Sequence, residues 1–97
     1  MITDKGFEFL HRAIKHNIDK PQALVGGSWR DGKVQKTEVT VNSIKIYCYF
    51  DETVVGRITR YRLSGKDGNV FLEKADTIDK TDERGLLVMF EIQIKEG

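Results

Sequence analysis

Two histidines, one cysteine and a scatter of carboxylates are among the side chains in this sequence able to move protons, attack an electrophile or hold a metal. His11 and His16 are five residues apart, which on a helix sets them well around from each other, whereas a metal pair favours a step of four along one side. Both are expected to be exposed or capping groups. Cys48 alternates with Ile46 and Phe50, so it reads as a small core side chain, and a nucleophile would need a base that neither histidine supplies nearby in sequence. Asp76, Asp79, Asp82 and Glu83 lack the alternating oxygen ligands and central glycine of a calcium loop. Val25-Gly26-Gly27 and Gly65-Lys66-Asp67-Gly68 match neither the dinucleotide nor the P-loop fingerprint. The expectation is a protein that is not an enzyme and has no cofactor, no metal and no small-molecule substrate.

The strongest local charge feature is GRITRYRL, Gly56 to Leu63. Strict alternation along a strand puts Arg60 and Arg62 on one side and Arg57, Thr59 and Tyr61 on the other. Arginines beside an aromatic can neutralise phosphates and stack on bases of a single strand, and Tyr47 and Tyr49 would extend such a platform if their strand were a neighbour. The competing expectation is a solvent face whose arginines pair with glutamates or guard a sheet edge. A net charge of +1, from sixteen basic and fifteen acidic residues, provides no long-range field for polyanions and favours the solvent face.

These residues must be positioned by a small scaffold. The 97-residue chain has the size of one domain, spanning 1–97, with room for one modest core. Its 39% apolar and 32% charged residues describe an ordinary globular protein, and the run from Leu86 to Phe90 is far too short to cross a bilayer. Asp4 and Glu8 interrupt any signal-like apolar start, so the chain is expected to stay where it is made. The single cysteine forms no internal disulfide and fits a reducing compartment.

In MITDKGFEFLHRAIKHN, the residues Phe7, Leu10, Ala13 or Ile14, and Ile18 recur at helical steps. Thr3 or Asp4 caps the start, Lys15 and His16 suit the negative end, and Asn17 offers a left-handed stop before Pro21. Beyond Gln22 the period becomes two. Ala23 to Gly26 reads as a short strand and Arg30-Asp31-Gly32-Lys33 as a turn. Val39 and Val41 alternate on odd positions but Ile44, Ile46, Cys48 and Phe50 on even ones, which predicts a bulge or break at Asn42-Ser43. Turns at Asp51-Glu52, Lys66 to Asn69 and Lys80 to Gly85 separate strands from Val54 to Leu63, from Val70 to Glu73, and through Leu86, Val88, Phe90, Ile92 and Ile94. The pattern predicts an α+β fold: one N-terminal helix packed on an antiparallel sheet or small sandwich of five to six strands.

Two patches together resemble a known family. The opening Ile2-Thr3-Asp4-Lys5-Gly6, with Leu10 and Ala13 following, is similar to the start of N-terminal domains of bacteriophage tail fibres and related prophage tail or baseplate proteins. Val25-Gly26-Gly27 lies where such domains carry a Val-Gly-x-Gly element, and Ile58 to Leu63 followed by Lys66-Asp67-Gly68-Asn69-Val70-Phe71 resembles their strand, acidic-glycine turn and strand. The match is in scattered pieces over residues 2 to 71. It departs where Ser28-Trp29-Arg30 follows the glycines and where Arg60 and Tyr61 replace an acidic residue and a small or aliphatic one. The resemblance implies a structural or assembly protein working by contact with other tail proteins or with itself, in the bacterial cytoplasm during assembly or in the virion. With no shaft after Gly97, a small standalone tail-associated protein is expected. Trp29, Tyr47, Tyr49 and Tyr61 are the anchors such contact would use, since amphipathic aromatics concentrate interface energy. The alternative is a nucleic-acid-binding module using Arg57, Arg60 and Arg62.

Overall fold

The computed structural model describes residues 3–40 and 42–93; Ile2, Val41 and Ile94, which the sequence patterns included, lie outside them. Helix α1 (Asp4–Asn17) starts as expected, with Thr3 as the cap: its hydroxyl accepts from Gly6 N at 3.1 Å. Its end differs from expectation. Asn17 is not left-handed; no residue other than glycine has a positive φ among the described residues. The Asn17 amide instead donates to Ala13 O at 2.6 Å, and the chain leaves through the extended Ile18, φ −71° and ψ 132°, directly into a strand.

Seven strands follow among the described residues, more than the five to six expected. They are β1 (Ile18–Val25), β2 (Ser28–Asp31), β3 (Lys33–Val39), β4 (Ser43–Phe50), β5 (Gly56–Gly65), β6 (Val70–Lys80) and β7 (Leu86–Gln93). They form a four-stranded sheet in the order β2-β1-β5-β6 and a three-stranded sheet in the order β3-β4-β7, with antiparallel pairing throughout.

The extra strands come from the segment 18–39. The tight turn there is Gly26-Gly27, at φ 56° and 83°, which joins β1 to β2; both central residues having φ > 0 suits a hairpin whose twist matches its strands. Asp31-Gly32, expected to turn, instead carries the chain straight from one sheet into the other. Gly32 N donates to Pro21 O at 2.9 Å, and a Cβ on Gly32 would lie 2.7 Å from the Phe50 ring and 2.8 Å from Tyr49 O. Glycine is needed here for close approach. The break predicted at Asn42-Ser43 is a full reversal, closed by Thr40 N donating to Ser43 O at 2.8 Å. The strand ending at Glu73 in the sequence reading continues to Lys80.

The sheets face each other across one apolar cluster. Ala23, Ile58, Tyr61 and Leu63 come from the four-stranded sheet, and Ile44, Ile46, Cys48, Phe50, Val88 and Phe90 from the other. The Phe50 and Tyr61 rings meet at 5.8 Å, tilted by 47°, and tie the layers at their centre. The helix is a side element instead of a lid. None of its residues is fully buried, though Leu10 and Ile14 pack against the core margin, and His11 Nε2 hydrogen-bonds Thr37 Oγ1 of β3 at 2.6 Å. That contact protects the β3 edge.

Candidate functional site

Two buried groups of possible reactivity, Cys48 and Lys80, are tied into the fold. Cys48 is fully buried, and desolvation pushes its thiol up to about 12, so at neutral pH it is an inert core group. Lys80 is 7% exposed, yet its ammonium has no carboxylate within 4.0 Å among the described residues. It donates to Asp51 O and Val54 O, both at 2.6 Å, and to Thr81 O at 3.3 Å. All three of its donors are used, two in gripping the β4–β5 turn and one on the carbonyl that follows β6. Asp51 completes that turn by accepting from both the backbone N and the hydroxyl of Thr53, which holds its carboxyl below the usual carboxylate range. Among the described residues, no three His, Cys, Asp or Glu side chains gather as a metal set.

What the fold offers outwardly is two sheet faces. On the four-stranded sheet, the basic segment is rearranged by a bulge at Thr59. Ile58 pairs with Val25 and Ile78, whereas Arg60 pairs with Leu24 and Ala75, so the register shifts across Thr59 on both sides of β5. The buried residues of β5 therefore run Ile58, Tyr61, Leu63, spaced three and then two. This corrects the alternation: Arg57, Arg60 and Arg62 share the outer face, and Tyr61 points into the core at 2% exposure. A bulge bends the strand and flips the parity beyond it, which strict alternation cannot anticipate; the signal was the apolar order Ile58, Tyr61, Leu63 itself.

The three arginines differ in their partners. Arg57 Nε donates to Asp79 at 3.0 Å and Arg60 to Glu73 at 2.9 Å, each a cross-strand pair to β6. Arg62 has no carboxylate within 4.0 Å among the described residues. Its Nε donates to Gln22 Oε1 at 2.8 Å, and its guanidinium lies over the Trp29 ring, 3.9 Å from the centroid. Gln22 passes the chain on, donating to Asp31 at 2.7 Å, and Lys20 donates to the same carboxylate at 3.1 Å. Gln22 first and then Lys20 hold the Asp31 carboxyl below its ordinary value.

On the three-stranded sheet, β4 turns Lys45, Tyr47 and Tyr49 outward while Ile44, Ile46, Cys48 and Phe50 go inward. Tyr47 lies opposite Met89 and Tyr49 opposite Leu87 on β7. Tyr49, Leu87 and Met89 are 37%, 53% and 37% exposed, so four large side chains form one contiguous apolar stripe. Lys36 sits 4.8 Å over the Tyr47 ring, and Lys45 lies between Glu38 and Glu91 in the pairing register. The stripe thus has a charged border. The Tyr49 ring rests on Gly85, in the space a Cβ would fill.

The four expected anchors are therefore separated. Tyr47 and Tyr49 stand together, Trp29 is on the other sheet under Arg62, and Tyr61 is interior. Tyr47 and Tyr49 also do not extend the arginine face, because β4 and β5 belong to different sheets. Leu87 and Met89 were missed: a strand that alternates without fault, as β7 does, gives no sequence sign that its odd residues lie beside two tyrosines.

No helix among the described residues is long and apolar enough to cross a membrane. No protein-family model matches the chain, and no curated protein or solved structure matches it.

Proposed function

We propose that this chain is a non-enzymatic structural or assembly protein that works by protein–protein contact, and that the partner is another structural component of a phage or prophage tail. The observation that supports contact is the stripe of Tyr47, Tyr49, Leu87 and Met89 on a flat sheet face. Two rigid aromatics beside two aliphatic side chains, bordered by paired charges, have the anatomy of an interface core and rim. The tail setting is carried by the resemblance of residues 2 to 71. The test is binding of the purified protein to the structural proteins encoded beside its gene. Loss of binding on Leu87→Glu, with the fold intact, supports the proposal; no binding at all, or binding indifferent to Leu87→Glu and Tyr47→Ala, removes it.

A second reading is favoured by the bulge at Thr59, which gathers Arg57, Arg60 and Arg62 on one face next to Trp29: a single-stranded nucleic-acid surface. Against it, Arg57 and Arg60 already pair with carboxylates. A salt titration with single-stranded oligonucleotides separates the two: binding weakened by salt and by Arg62→Ala favours this face.

A further inference from the structure

We infer that β6 is a self-pairing edge through which two copies of this chain join antiparallel, about a two-fold axis passing at Ala75. The surface is distinct from the Tyr47–Tyr49 stripe and goes beyond the function proposed above.

β6 is the outermost strand of its sheet and, at eleven residues, the longest in the molecule. Every residue from Glu73 to Asp79 is exposed, including Lys74, Asp76 and Ile78, which point to the inner side with Tyr61 and Ile58. An open edge presents unpaired backbone donors and acceptors in a row. The other edges are shorter: β2 has four residues, β3 carries the helix contact at Thr37, and the β7 carbonyl of Met89 accepts from Lys74 at 3.3 Å.

The register follows from symmetry and charge. A two-fold axis perpendicular to a sheet pairs residues that point to the same face, so it must pass at a residue and not between two. Centred on Glu73, Lys74 or Asp76, the axis sets that charge against its own copy. Centred on Thr77, it leaves only residues 74–80 paired and sets the Asp76 carboxylate against the apolar Ile78. Centres farther out leave at most five residues of β6 paired. Centred on Ala75, all of Val70–Lys80 overlaps: Lys74 meets Asp76, Leu72 meets Ile78, and the small Ala75 meets itself. Opposite charges and apolar pairs directly across an antiparallel ladder are the stabilising combinations. An inward-facing lysine on an edge ordinarily blocks indiscriminate pairing; here the one full-length register is the one that supplies it with a carboxylate. The partner is a second copy because the strand is complementary to itself.

The experiment combines cross-linking with a charge swap. In the inferred dimer the two Ala75 Cα atoms face each other at about 4.5–5.5 Å, within the span a disulfide accepts. The two Thr77 Cα atoms are offset by about 14 Å along the strand. Ala75→Cys is expected to give a covalent dimer on mild oxidation while Thr77→Cys stays monomeric on a denaturing gel; both sites are exposed and Cys48 is buried. In sedimentation equilibrium, Lys74→Glu weakens dimerisation about tenfold, through two symmetric like-charge contacts, and the double variant Lys74→Glu with Asp76→Lys restores it. Leu87→Glu, on the opposite sheet, leaves it unchanged, which keeps this outcome separate from that of the proposed tail contact. A protein monomeric at every concentration overturns the inference. So does equal cross-linking at both positions, a dimer indifferent to the charge swap, or one dissolved by Leu87→Glu.

Discussion

The guanidinium of Arg62 lies 3.9 Å above the ring of Trp29 while its Nε donates to Gln22 at 2.8 Å. The two residues are brought together across three strands, β2, β1 and β5, by the antiparallel register Leu24↔Trp29 and Gln22↔Arg62. A planar cation over an indole at a solvent-facing site contributes roughly 0.5–1 kcal/mol. Arg62→Ala is therefore expected to destabilise the protein by about that amount, and to shift the emission of Trp29, the only tryptophan. Urea unfolding followed by fluorescence checks both, and unchanged emission would show that the stack does not persist in solution.

Lys80 holds the turn between β4 and β5 through the carbonyl oxygens of Asp51 and Val54. Lys80→Met keeps the apolar stem but leaves the Val54 carbonyl without its donor, at a cost of about 1–3 kcal/mol. The loss is expected to be local first, with faster amide exchange at residues 51–54 measurable before any change in the β7 strand.

Gly32 and Gly85 both sit under aromatic rings but respond differently. At Gly32 a methyl group would strike Phe50, which is fully buried, and the Tyr49 backbone; Gly32→Ala is expected to cost about 1–3 kcal/mol of unfolding free energy, read from a denaturant titration. At Gly85 it would strike the tip of the half-exposed Tyr49, which can swing aside. Gly85→Ala should leave stability nearly unchanged and reduce only contacts made through Tyr49.

Two buried groups set the alkaline limit. The Cys48 thiol ionises near 9 when unfolded and only at about 12 in the fold because burial desolvates it. Its contribution to stability is complete below pH 9 and is lost as pH rises from there towards 12. Burial, with a smaller effect from Asp76, also raises Tyr61 above its ordinary value near 10, which adds to the loss above that pH. Thermal unfolding from pH 7 to 11 is expected to show a falling midpoint above pH 9, flatter in Cys48→Ala. Thiol reagents at pH 8 are expected to label Cys48 only on unfolding.

At the acid end the turn carboxylates act with the opposite sign. Asp51 is held below its ordinary 3.8 by Thr53 and Asp67 by Asn69, so the stability they lend is present above that value and lost as pH falls through their lowered ones. Asp67→Ala is expected to flatten the acid limb of the same stability profile.

The type of most elements was written in local chemistry. A capping threonine, apolar residues at helical steps and basic residues in the last turn determined α1. Strict alternation determined β4 and β7, because a sheet with one buried face tolerates no other parity. What the tertiary structure decided was where chain direction and parity change. Asp31-Gly32 has the composition of a turn, yet the nearness of Phe50 and Tyr49 leaves room only for a straight glycine crossing between sheets. Thr59 carries no mark of a bulge; the register with β1 places one there, and Tyr61 turns inward while three arginines gather outside. Local residue types specify how a segment twists and which side is apolar, but the neighbour a strand acquires depends on contacts between distant segments, and only the assembled sheets show which faces and edges remain free.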